Sequence, residues 1–152
     1  MRATCLFNSD KQLGIPRTRY WSESRYDLKV GTEYVVYAMA LFKWLNRVEA
    51  ELLILVVDDN GAPRLVPIGL FECYSYVLPF EWEFALCDGI SASGRSHLSP
   101  HAHEHQWIAM WGYSEFVRNP DHTDLLQDGD PDARAIFFAE VERRRSLSEF
   151  YQ

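Results

Sequence analysis

A chain of 152 residues in which 47 % of the side chains are hydrophobic and 24 % charged has the material for one hydrophobic core and is too apolar for an unfolded polypeptide. Its net charge of -7 gives no electrostatic footprint for nucleic acid, because a negative surface repels phosphate. The longest apolar run, Leu52 to Val57, is far shorter than the ~20 residues a membrane-spanning helix needs, so no membrane partner is expected.

The charge is uneven. Residues 1–50 carry eight basic and five acidic side chains, whereas residues 51–152 carry seven basic and seventeen acidic ones. Residues 1–25 read as a basic arm, with Gly14, Pro16 and four arginines but no sustained period, and with one short strand at Ala3 to Phe7. The first ten residues hold no apolar leader. Cys5, Cys73 and Cys87 are odd in number and lack CxxC spacing, so reduced thiols in the cytosol are expected.

Residues 26–111 form a β-rich body. Glu33 to Ala40 is rich in β-branched and aromatic residues and predicts a strand, while Leu41 to Arg47 fits either its continuation or a helical turn. Glu51 to Val57 predicts the next strand. Asp58-Asp59-Asn60-Gly61 supplies residues that tolerate positive φ at a hairpin, and Pro63 to Ile68 is the return strand. After the Pro67 to Leu70 turn, Phe71 to Tyr76 predicts another strand. Glu81 to Leu86 alternates acid and apolar, the period of a strand with its glutamates in water and its apolar side chains packed. Short strands with a hairpin and a tight turn predict a small, bent antiparallel barrel of SH3-like type.

Asp88 to Ser99, with its glycines and serines, reads as a loop, and His105 to Trp111 as a last strand or a helix. Residues 112–152 form a helical tail, giving an α+β class. Ser114 to Val117 and Asn119-Pro120-Asp121 each open a turn. Asp130-Pro131-Asp132 combines cap, first-turn proline and favourable acid to start a helix reaching about Phe150, whose Ala133, Phe137 and Val141 form a stripe that docks on the barrel.

Chemistry-bearing patterns are sparse. No serine lies in a GxSxG elbow and no glycine-rich loop carries GK[ST], so no catalytic residue is assigned. His101, His103 and His105 share one face of a strand, which suits zinc or another borderline metal; this is the alternative reading, a metal-binding protein or metal-dependent hydrolase. The cluster is not HExxH. Aromatic residues, among them Tyr34, Tyr37, Tyr74, Phe80, Trp82, Trp107, Trp111 and Tyr113, exceed what a core of this size buries, and exposed rings anchor interfaces.

Gly31-Thr32-Glu33-Tyr34-Val35-Val36-Tyr37, then Asp58 to Gly61, Pro67 to Glu72 and Trp111 to His122, resemble a group of small bacterial proteins of uncharacterised activity. The resemblance spans roughly residues 26–145 and transfers no catalytic motif. In size and acidity the chain is similar to immunity proteins that neutralise polymorphic toxins, many of which are basic nucleases. That likeness implies a cytosolic, non-enzymatic protein-binding module without a cofactor. The partner it implies is a basic toxin, and the acidic balance with the surplus rings makes Glu81, Trp82, Glu83, Asp121, Asp124 and Asp128 the expected contact residues.

Overall fold

The computed structural model describes residues 1–13, 25–44, 49–74, 77–87 and 105–150. It is an α+β arrangement of two antiparallel sheets and three α-helices. The strands are β1 (Arg2–Cys5), β2 (Glu33–Val35), β3 (Ala38–Trp44), β4 (Ala50–Val57), β5 (Pro63–Pro67), β6 (Phe71–Cys73), β7 (Glu83–Leu86) and β8 (His105–Gly112). The helices α1 (Ser114–Arg118), α2 (Pro120–Asp128) and α3 (Pro131–Phe150) follow. One sheet has the order β2-β1-β6 and the other β5-β4-β3-β8-β7.

β4 fixes the layering. Leu53, Ile54, Leu55 and Val56 are all buried, so both faces of this strand are covered. Leu53 and Leu55 pack in one cluster with Tyr37, Met110, Phe116, Leu126 and Phe137, which places the helices on that side. Ile54 and Val56 pack on the other side with Ala3, Cys5, Val66, Leu70 and Phe71, the contribution of the three-stranded sheet and its neighbours. Each fully buried branched side chain contributes about 1.5–3 kcal/mol. A strand covered twice needs an unbroken apolar run, which Leu52 to Val57 provides.

The segment from Glu33 to Ala40 divides between the two sheets. Val36 donates its N–H to the Met1 carbonyl, and Tyr37 donates to the Leu55 carbonyl, so the chain changes sheet at this dipeptide. Leu41 onward continues as strand to Trp44. A bulge between Leu41 and Phe42 in the pairing with β8 brings Phe42 opposite Trp107, both in the helix-side cluster. His105 to Trp111 is a strand, not a helix, because it is held between β3 and β7.

The β4–β5 hairpin is closed by Asp58, which is 5 % exposed. Its Oδ1 accepts N–H bonds from Asn60 and Ala62 at 3.0 and 2.8 Å, and Oδ2 takes Arg64 at 3.2 Å. Gly61 supplies the positive φ of 75° that the turn requires. β1 is the central strand of its sheet, with Ala3 and Cys5 fully buried, so residues 2–5 belong to the core. α3 opens where the Asp130 carboxylate accepts from Asp132 and Ala133, and its Ala133 and Phe137 are buried as the stripe predicts. No described helix is long and apolar enough to cross a membrane.

Gly112 pairs with Ala38 on one side and Glu83 on the other, at φ 156°. A Cβ there would stand 2.6 Å from the Ala38 Cβ. Gly112→Ala is therefore expected to destabilise the protein by about 1–3 kcal/mol in urea unfolding, the cost of forcing two packed strands apart.

Candidate protein-binding surface

The sequence-predicted contact residues fall into two groups. Glu81, Trp82 and Glu83 lie on the turn entering β7, where the Trp82 N–H bonds the Pro79 carbonyl at 3.0 Å. Asp121, Asp124 and Asp128 lie on α2. α1 packs against β7 and β8 and passes directly into α2, so it is the element between the two groups.

β7 alternates as expected but with the opposite face inward. Phe84 and Leu86 are 54 % and 74 % exposed, whereas Glu83 and Ala85 face the helix side. Glu83 accepts two hydrogen bonds from Arg118 of α1, at 2.6 and 3.0 Å, and these hold its carboxyl below the usual range. The reason for the inversion is long-range: α1 lies beneath β7 and β8 and brings a guanidinium to the acidic side. The three-stranded sheet, which packs over the far side of β4, leaves Phe84 and Leu86 uncovered. Phe84 stacks on Trp111, its partner across the β7–β8 pair, with ring centroids 5.1 Å apart. The approach to the strand adds Tyr74, Val77 and Phe80, the last 96 % exposed.

Glu81 and Trp82 join a polar clamp under α3. Arg144, whose side chain is 10 % exposed, bonds Glu140 at 2.6 Å and the Val36 carbonyl at 3.3 Å. Its guanidinium stands over the rings of Tyr37 and Trp82, 5.6 and 5.4 Å from their centroids. Burial alone would raise the Glu140 carboxyl, but hydrogen bonds from Arg143 and Arg144 outweigh it and keep the group ionised below its ordinary range. Arg143 also reaches Glu81 at 3.8 Å. Trp82 is thus a half-buried platform for Arg144, and both Glu81 and Glu83 have cationic neighbours within the chain.

On α2, Asn119 caps the first turn by accepting the Asp121 N–H at 3.2 Å. Asp121, Asp124 and Asp128 follow at i, i+3 and i+7 and share one face, while His122 and Leu126 at i and i+4 are buried. Desolvation, with the negative charge of Asp124 beside it, pushes the Asp128 carboxyl up. Beneath them His122 Nε2 and the Tyr113 hydroxyl lie 2.7 Å apart, both buried. The sequence marked Tyr113 only as one of the surplus rings and gave His122 no role, since one histidine in an acidic helix carries no spacing signal.

His101 and His103 lie outside the described residues. The His105 backbone begins β8 opposite Trp44, while its side chain is likewise outside them. Among the described residues no group of three or more His, Cys, Asp or Glu side chains converges as metal ligands. A cleft of about 570 Å³ opens between Asn8, the Arg25 to Val30 segment and Asp59-Asn60. Tyr34 ties two of its lining residues together, donating to Asp59 at 2.6 Å and accepting the Lys29 N–H at 2.8 Å; desolvation and Asp59 push its hydroxyl up to about 12. Compared with protein-family models, curated proteins and solved structures, the chain matches none.

Burial lowers the pKa of His122 from 6.5. The unfolded chain therefore binds this proton more readily, and stability present above pH 6.5 is lost as pH falls through the window beneath it. Urea unfolding of wild type and His122→Gln at pH 7.5 and about pH 5 checks this. The variant is expected to lose less stability over that interval, and equal losses would contradict it.

Proposed function

We propose that this chain is a cytosolic protein that acts by contact, an immunity-type inhibitor that binds a basic protein toxin and covers the surface the toxin needs. The observation that carries this reading is the apolar strip at the sheet edge, Phe84 and Leu86 with Phe80 and Val77 close by in the chain, all more than half exposed. Exposed apolar patches with a polar border mark interaction sites. Burying it on a partner supplies short-range affinity at roughly 25 cal/mol per Å².

Charge supplies the long-range part. The net charge of -7 and the Asp121, Asp124, Asp128 face steer a basic partner and can raise association rates by about 10- to 1,000-fold at low salt. Glu81 and Glu83 act here as internal partners of Arg143 and Arg118 that shape the strip's border. The contact residues of this reading are therefore the α2 acids and the exposed β7 side chains Phe84 and Leu86. Within the same reading, strands β1 to β6 form an SH3-like bent half-barrel. Three features support it: the chain bends from β2 into β3 across two sheets, a 3-10 turn at Ile68–Leu70 links β5 to β6, and β1 sits between β2 and β6.

The test is binding to the product of the neighbouring gene, with growth rescue of cells that produce it. Wild type is expected to bind and rescue, with an association rate that falls at least tenfold on going to high salt. Phe84→Asp with Leu86→Asp is expected to weaken binding about 100-fold without loss of fold. No binding, or binding indifferent both to salt and to the double substitution, would overturn the proposal.

A further inference from the structure

We infer that the partner docks by adding a strand to the free edge of β7, and that this strand alternates apolar with lysine or arginine residues. The inference rests on the binding reading above and specifies its geometry. Among the described residues β7 ends the five-stranded sheet, with β8 on one side and no strand on the other. In an antiparallel ladder, alternate residues turn N–H and C=O toward the same neighbour. Cys87 donates its N–H to the Ile108 carbonyl at 2.8 Å, so Cys87, Ala85 and Glu83 face β8. Phe84 and Leu86 therefore turn their backbone groups outward, to the edge. The two residues whose side chains are exposed also offer the edge's donors and acceptors.

The two faces of an added strand would meet different surroundings. Its side chains on the Phe84 face would lie beside Phe84, Leu86 and Trp111, which selects apolar residues. Its side chains on the opposite face would lie on the α1 side of the sheet, where Glu83 and Glu115 stand with Arg118. The acids of α2 stand toward the other edge, where α2 packs on β5, so the pull on a basic strand is the long-range field of a chain with a net charge of -7. That field favours lysine or arginine at the alternate positions of the strand. A second copy of this chain fits less well, because it would bring its own charge of -7 to the same edge. Strand addition gives affinity through main-chain bonds and specificity through alternate side chains.

The experiment is residue-resolved amide exchange with an eight-residue peptide alternating valine and lysine as the probe, and a valine–glutamate peptide as charge control. In the free protein the Phe84 and Leu86 amides are expected to exchange fast and those of Ala85 and Cys87 slowly. The lysine peptide should slow Phe84 and Leu86 at least tenfold and the glutamate peptide should not. Leu86→Pro removes an outward N–H at a position where edge strands tolerate proline, so the slow exchange of Ala85 reports that the fold persists. This variant should bind the peptide at least tenfold more weakly than Leu86→Ala. Unchanged Phe84 and Leu86 exchange with the lysine peptide, equal binding by the two Leu86 variants, or slow exchange of both amides in a self-associated free protein would overturn the inference. If the neighbouring gene's product still binds under those outcomes, the binding reading stands and only strand addition fails. If that product does not bind, the reading fails with it.

Discussion

Everything in this molecule depends on β4 being buried on both faces. A strand in that position must carry apolar side chains on both faces, and Leu53 to Val56 do so, with even positions toward the three-stranded sheet and odd positions toward the helices. The two clusters are therefore built on one backbone, and register errors are penalised twice: a one-residue slip would exchange the two sets of partners. Asp58 secures that register from the hairpin end by accepting two turn N–H groups and an arginine. The consequence for function lies at the other end of the sheet. The second sheet packs over β4 and its neighbours, so the strands farthest from it, β8 and β7, present an outer face bearing Phe84, Leu86 and Trp111.

The second constraint is the seating of α3. A helix with a broad polar surface gains little from a single apolar stripe, and Ala133 and Phe137 are its only fully buried apolar anchors among the described residues. Farther along, Arg144 couples it to the point where the chain crosses between sheets, through the Val36 carbonyl and the Tyr37 and Trp82 rings. Removing a charge this far from water costs several kcal/mol unless it is matched, and Glu140 matches it at 2.6 Å. The clamp thereby ties Trp82, immediately before β7, to the core. The strip that follows is exposed, yet it starts from a fixed platform, the condition for binding without a large ordering cost.

Local chemistry made part of this legible from the residues alone. The hairpin turn at Asp58 to Gly61 and the start of α3 at Asp130-Pro131-Asp132 are decided by side chains within four positions of the backbone groups they satisfy. What was not legible depends on partners distant in sequence. Nothing in Glu33 to Ala40 marks the break at Val36-Tyr37, because the Met1 and Leu55 carbonyls create it. The alternation of Glu81 to Leu86 identifies a strand but not its inward face; that was chosen by Arg118, 35 residues beyond Glu83. The acids Asp121, Asp124 and Asp128 were legible only as part of the acidic charge balance; that they share one helix face, with His122 packed against Tyr113 on the buried side, required the packed structure.

The central claim is that the Phe80 to Leu86 strip is open in the free protein and closed in the complex. Hydroxyl-radical footprinting of the protein alone and bound to the neighbouring gene's product tests it most directly, because ring oxidation reads solvent access at single residues. The account predicts ready oxidation of Phe80 and Phe84 in the free chain, strong suppression of Phe84 in the complex, and no change at buried Phe116 and Phe137. Oxidation of Phe84 that is equal in the two states would contradict it.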